Sequence, residues 1–246
     1  MAWVATNFKH WAKEYNVPAF ADSDPIQFPR RYKGDKKKTE ISAFLTSWLA
    51  FGNRTAIVKA AKRLDLEFSE NPYNWIMAKQ YGKSYGNTKK MYRMLSFGDL
   101  YQMGERLHQL YHDFDSMEDM ISHTGQSPIE AISAYFDGIR GIPQYSKGSA
   151  CKRLCMLSRW MVRRDGIVDL GVWGSIDPKR LIIPLDTHVH RIALFFGITK
   201  RTQADMKTAK EITDYFKSIF PDDPVLGDFA LFGAGINHID KLLKTY

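Results

Sequence analysis

Apolar residues recur along this chain with the 3.6-residue period of helices and almost never with the two-residue period of strands. Val4, Phe8, Trp11 and Tyr15 follow at spacings of four, three and four, which predicts an amphipathic first helix docking by one face. A Pro-containing stretch, "DSDPIQFPRRYKGDKKK" (22–38), reads as an irregular connection. "TEISAFLTSWLAFGNRTAIVKAAKRLDLEF" (39–68) gives two apolar helical stretches broken near Gly52-Asn53, where a cap or turn is the natural local conformation. Further helices are predicted over 89–95, 98–113, 115–122, 128–138, 150–163, 187–196, 204–219 and 224–233. With no internal repeat and no low-complexity segment, the pattern predicts an all-α fold of about ten short helices.

Composition narrows the class. The 246 residues can bury a real core and still form one two-lobed molecule, and 44% apolar with 25% charged residues is a globular balance. No apolar run reaches the roughly 18 residues that a membrane span needs. The start "MAWVATNFKHWAKEYNV" lacks the basic, apolar and small-residue succession of a signal peptide, so a cytoplasmic protein without membrane contact is expected. Cys151 and Cys155 are too few for a disulfide framework or a four-cysteine metal site, and their spacing on a helix suggests packing.

A net charge of +8 points to a polyanionic partner, because clustered cations release counterions on meeting phosphates. The cations do cluster, in "RRYKGDKKK" (30–38), "NTKKMYR" (87–93), "SKGSACKR" (146–153) and "RWMVRR" (159–164), with aromatics between several of them. Within "YSKGSACKRLCMLSRWMVRR" a helical wheel puts Leu154, Leu157 and Met161 on the core stripe and Lys152, Met156, Arg159 and Arg163 on the opposite, basic face. Ser149 is the expected N-cap, and the Gly148-Ser149 start offers backbone N–H groups suited to a phosphate.

"IIPLDTHVHRIALFFG" (182–197) places a single aspartate, Asp186, between an apolar run and a helix. An aspartate there can cap the helix and also serve as a catalytic carboxylate. As a metal ligand it would act with His188 and His190, but these point about 200° apart on a helix.

Proline, a small apolar step, aspartate, then Thr187, His188 and Arg191 opening a helix resembles the catalytic-aspartate motif of the helix-hairpin-helix DNA glycosylase superfamily. Asp186 stands 34 positions after Lys152, a spacing similar to the archaeal 8-oxoguanine DNA glycosylase branch, in which the lysine helix carries a basic and a large apolar residue two turns on. Arg159 and Trp160 resemble that pair. "DPVLGDFALFGAG" (223–235) is similar to the segment closing the base pocket there, with Asp228 and Phe232 at its acidic and aromatic positions. As a whole the chain looks like a member of a bacterial family of unknown function that resembles this superfamily.

The resemblance implies a two-lobed fold, with 39–165 as one lobe carrying the lysine helix and 1–38 with 180–246 as the other. It implies a monomeric DNA N-glycosylase and AP lyase removing a damaged base, an oxidised purine, with Lys152 as nucleophile and Asp186 as electrostatic partner. Asp228, Phe232 and Asn53 would line the base pocket. Lys147, Gly148, Ser149, Arg153, Arg159, Arg163, His188 and Arg191 would contact DNA. No metal or cofactor is implied, since no cysteine follows Cys155 to complete an iron–sulfur set. The chain departs from the superfamily in lacking its glycine-x-glycine hairpin: "GIRGIPQYSKGSA" (138–150) has only Gly148 in a comparable place. Two rival readings remain open, a non-catalytic nucleic-acid-binding protein of the same fold and a metal-dependent hydrolase using Asp186, His188 and His190.

The chemistry stands without the family. Breaking an N-glycosidic bond develops positive charge on the sugar, which a carboxylate at a helix N-terminus can stabilise. A deprotonated lysine can attack the anomeric carbon and form a Schiff base that permits elimination. A base in a duplex must first be flipped out.

Overall fold

The computed structural model describes residues 2–235, with side chains from Val4 onward. Helices dominate. In chain order they are α1 (Ala2–Tyr15), α2 (Pro18–Ser23), α3 (Gln27–Arg30), α4 (Lys36–Leu49), α5 (Arg54–Glu67) and α6 (Pro72–Met77), then α7 (Phe97–Asp113), α8 (Met117–Thr124) and α9 (Pro128–Tyr135), then α10 (Lys152–Val162), α11 (Thr187–Phe195), α12 (Met206–Lys217) and α13 (Leu226–Ala234). Among the described residues the only sheet is a hairpin of β1 (Lys90–Tyr92) and β2 (Leu95–Ser96) between α6 and α7. No helix among them is long and apolar enough to cross a membrane.

The hairpin corrects the helix expected over 89–95. Seven residues are too few to nucleate a helix without tertiary support. Here the support favours a turn: Lys90 pairs with Ser96 and Tyr92 with Leu95, and Arg93 adopts φ +49° between them. Leu95 is fully buried, and the Tyr92 hydroxyl donates to the Phe51 carbonyl at 2.5 Å. The connection over 22–38 also contains the short helix α3, with the end of α2 and the start of α4 at its two ends. The break at Gly52-Asn53 is a cap: Gly52 takes φ +106°, and the Asn53 side chain accepts from the Ala56 N–H at 2.8 Å to start α5.

The chain divides into two compact units, Ser23–Gln144 and a second made from residues up to Asp22 together with those from Tyr145 onward. The boundaries differ from the lobes read from sequence, because α10 lies in the same unit as Asp186 and not with 39–144. Residues 236–246 of the expected second lobe lie outside the described residues.

In the unit of residues 23–144, α4 is the central helix. Every residue from Thr39 to Leu49 is buried, and α3, α5 and α6 pack on it. Its one buried acid, Glu40, accepts from the Tyr111 hydroxyl at 3.0 Å and from the Met117 and Glu118 N–H groups at 2.9 and 3.2 Å. The carboxylate thus supplies acceptors at the start of α8, where backbone donors have no helical partner.

In the other unit, α1 lies along α13. Phe8 and Trp11 enter an aromatic cluster with Phe196 and Phe216, the Phe8 ring centroid standing 5.1 Å from each phenylalanine. Close approach explains two glycines of α13. A Cβ at Gly227 would clash with the Phe216 ring, and one at Gly233 would meet Tyr15 and Trp11.

Glu40→Ala should cost about 3 kcal/mol or more by stranding two N–H groups and a hydroxyl in the core, whereas Glu40→Gln, which keeps one acceptor oxygen, should cost about 1–2 kcal/mol. Urea unfolding of both variants measures the difference. Equal and small losses would show that Glu40 does not hold α8.

Candidate active site

The site is built at two helix starts in one unit. α10 begins at Lys152, two residues later than an N-cap at Ser149 would place it. Its N-cap is Cys151, which takes the left-handed conformation at φ +48° and makes no side-chain cap bond. The Ser149 hydroxyl instead accepts from the Cys151 N–H at 3.2 Å. Gly148, at φ +75°, lets the chain turn before the helix, and its carbonyl accepts from the Met206 N–H at 3.1 Å. Ser149 pairs with Asp205 across the same contact. The loop in place of a glycine-x-glycine hairpin is therefore fastened to the start of α12.

Asp186 is the N-cap of α11. Its backbone is extended and its Oδ1 accepts from the Val189 N–H at 2.9 Å. The other oxygen, Oδ2, lies 3.9 Å from the Lys152 Nζ, and both side chains are partly open to solvent, at 34% and 40%. At 3.9 Å this is an ion pair beyond hydrogen-bond length, leaving each group reachable.

Asp228 stands nearby on α13, ion-paired to Arg159. Burial is the main reason its carboxyl is pushed up to about 6, Arg159 and Lys152 pulling it down and Asp186 pushing it further up. Phe232, one turn along, is half-buried against Tyr15, Phe20 and His188.

Arg159 and Arg163 do not form the solvated basic face expected of them. They are 4% and 2% exposed. Arg159 pairs with Asp169 at 3.3 Å as well as with Asp228. Arg163 pairs with Asp169, with Asp165 at 2.8 Å and with Asp223 at 2.9 Å. Phe229 stands beside both guanidiniums, 4.6 Å from Arg159 and 5.4 Å from Arg163. With four aspartates around two arginines, each guanidinium is fully engaged and neither can serve as a phosphate contact. Burial opposes charge on Arg163, but Asp169, Asp223 and Asp165 outweigh it, so its pKa is raised. Burial also pushes Asp223 up against the pull of Arg163, and its Oδ1 is buried without a hydrogen-bond partner among the described residues. The signal in the sequence is the spacing of the acids, Asp165 and Asp169 just after α10 and Asp223 and Asp228 around the start of α13.

The histidines are also occupied by structure. His188 is half-buried, with its Nε2 buried against Gly235 and without a hydrogen-bond partner among the described residues, and its ring facing Phe232 at 6.4 Å. His190 is buried, with its Nε2 2.8 Å from the Arg201 carbonyl. The His188 Nε2 thus points inward, and among the described residues the two histidines do not gather with Asp186 into a metal-holding group. No trio of His, Cys, Asp or Glu side chains placed to hold a metal occurs among the described residues. Lys147, Gly148 and Arg191 are exposed, and Ser149 is half-buried. Arg153 is half-buried, and burial lowers its guanidinium to about 10. Asn53 belongs to the other unit, where it is the α5 cap.

The raised Asp228 sets a pH dependence with a definite sign. An unfolded aspartate titrates near about 4, so between about 4 and 6 the unfolded chain releases a proton that the folded chain retains. This group's contribution therefore falls as pH rises through that window and is constant above it. Asp228→Asn cannot titrate. Its stability relative to the wild type should rise from pH 4 to pH 6 and level off above about 7, read from urea midpoints across that range. A difference independent of pH would place the Asp228 carboxyl at its ordinary value.

Searches of curated proteins and of solved structures returned no match. The family model described as Protein of unknown function (DUF2400) matches residues 24–237, most of the chain, and the chain therefore belongs to that family.

Proposed function

We propose that this protein is a DNA-repair glycosylase of the helix-hairpin-helix type, removing a damaged base, an oxidised purine, and cleaving the strand by associated lyase chemistry. The observation that carries the reading is the 3.9 Å approach of the Lys152 amine to the Asp186 carboxylate, each at the start of a helix and each open to solvent. The mostly helical architecture and the net charge of +8 are consistent with it.

In this mechanism a deprotonated Lys152 Nζ attacks the anomeric carbon of a flipped nucleotide. The N-glycosidic bond breaks and its electron pair leaves with the base, which takes up a proton. Positive charge develops on the sugar ring in the transition state, and the Asp186 carboxylate, held by the Val189 N–H, stabilises it. The lysine–sugar adduct opens to a Schiff base, and loss of the adjacent sugar proton expels the 3′ phosphate. Asp228, with its carboxyl shifted towards the neutral form, and Phe232 are assigned to the base side. The exposed Lys147, Gly148 and Arg191 are assigned to the DNA backbone, where the resemblance puts them.

Two measurements test this on duplex DNA carrying 8-oxoguanine. Borohydride should trap a covalent complex with the wild type, and Lys152→Gln should abolish it. Trapping that survives in the variant would move the nucleophile elsewhere. Asp186→Asn should leave folding stability within about 1 kcal/mol, because asparagine caps as well as aspartate. Single-turnover excision should fall by roughly two or more orders of magnitude once the negative charge is gone. Excision unchanged in that variant would reduce Asp186 to a cap, and DNA binding without excision by the wild type would favour the non-catalytic reading.

A further inference from the structure

The unit of residues 23–144 carries a pocket that the glycosylase reading does not use. Between α5 and the β1–β2 hairpin lies a pocket of about 80 Å³. Its floor is apolar and buried: Leu49 and Trp75 are each 1% exposed, and Leu64 and Leu100 lie beside them. Ala60 on α5 and Met91 and Tyr92 on β1 form facing walls. The Tyr92 wall is held in place, because its hydroxyl is bonded to the Phe51 carbonyl and its ring meets the Phe51 ring at 5.1 Å.

The lining selects against water as the natural occupant. A water needs two to four polar partners, and these walls offer few. A site of this size accepts one ring or a short branched chain, many times the roughly 10–15 Å³ that a single water requires.

Charge selects the other end of the ligand. Arg63, Glu67 and Lys83 also line the pocket. Arg63 and Glu67 stand one turn apart on α5, close enough to pair along the helix. The Glu67 carboxylate is instead taken up by Lys83. Arg63 makes no hydrogen bond or ion pair among the described residues, so one exposed guanidinium faces the pocket uncompensated. A guanidinium presents a planar fork of donors matched to a carboxylate.

We infer that this pocket binds a small monoanion with a single apolar ring, an arylcarboxylate, its ring against Trp75 and Leu64 and its carboxylate on Arg63. The site is independent of Lys152 and Asp186, which belong to the other unit.

The full-length chain is titrated with benzoate and with its neutral counterpart, benzyl alcohol, and binding is followed by saturation-transfer NMR. Benzoate should bind saturably and about tenfold or more tighter than benzyl alcohol. Arg63→Gln should weaken benzoate by about tenfold while leaving benzyl alcohol unchanged. Ala60→Phe, which fills the pocket from α5, should abolish both, with thermal melting confirming the fold. Met91→Trp fills it from the hairpin side and stands in if Ala60→Phe does not fold. Absence of saturable benzoate binding to the wild type, no preference for the anion, or benzoate binding that survives a folded plug variant would each overturn the assignment.

Discussion

Two arginines one turn apart, Arg159 on α10 and Arg163 at its C-cap, each buried among aspartates, form the interaction on which the candidate site depends. Charges removed from water are tolerated only when their partners are close and their donors satisfied. Arg159 and Arg163 meet that condition by drawing on Asp165 and Asp169 after α10 and on Asp223 and Asp228 from the α13 region. The cluster therefore fixes α10 against α13, and α11 packs on α13 in turn. Lys152 at the start of α10 meets Asp186 at the start of α11 because both helices are referred to the same third helix. Burial pushes two of these carboxyls upward against the pull of the arginines, Asp223 and Asp228, the latter to about 6 beside the two proposed catalytic groups.

The start of α10 shows how the chain manages without a glycine-rich hairpin. Gly148 and Cys151 both take positive φ, so the backbone reverses twice within four residues. Left-handed backbone is costly for a residue with a Cβ, and it persists only where neighbours overdetermine it. Here they do: Gly148 accepts from Met206, Ser149 bridges to Asp205, and Ser149 in turn accepts from Cys151. The strain falls on the residue immediately before Lys152, and its consequence is a lysine presented at the first position of the helix.

Asp186 combines two duties that oxygen geometry keeps separate. Oδ1 closes the first turn of α11 and Oδ2 faces Lys152. Its neighbours in the motif are given over to packing, with His190 bonded to Arg201 and His188 against Phe232 and Gly235. Two histidines beside an aspartate thus supply no second and third ligand, because helical positions two apart project into different surroundings.

Local physics was legible in the sequence wherever a residue's role depends on its near neighbours. The helical period placed most of the α-helices, and Asn53 and Asp186 are caps because an Asx side chain reaches the N–H three residues on. Lys152 and Asp186 could be singled out, but their 3.9 Å approach could not, because it is set across 34 residues by packing against α13. The face of α10 opposite its apolar stripe illustrates the limit most directly. A helical wheel reports which residues share a face but not what lies against it, and aspartates from the loop after α10 and from the distant α13 region turned the expected wet, basic side of Arg159 and Arg163 into a buried ion cluster. The 89–95 segment failed for the same reason, since only Phe51 and the buried site of Leu95 made a hairpin better than a helical turn. What the sequence by itself determined is the set of helices and the residues able to cap, pair or react. Which of those residues meet was decided only by the tertiary structure, because burial and pairing are properties of neighbours that the chain brings together from far apart.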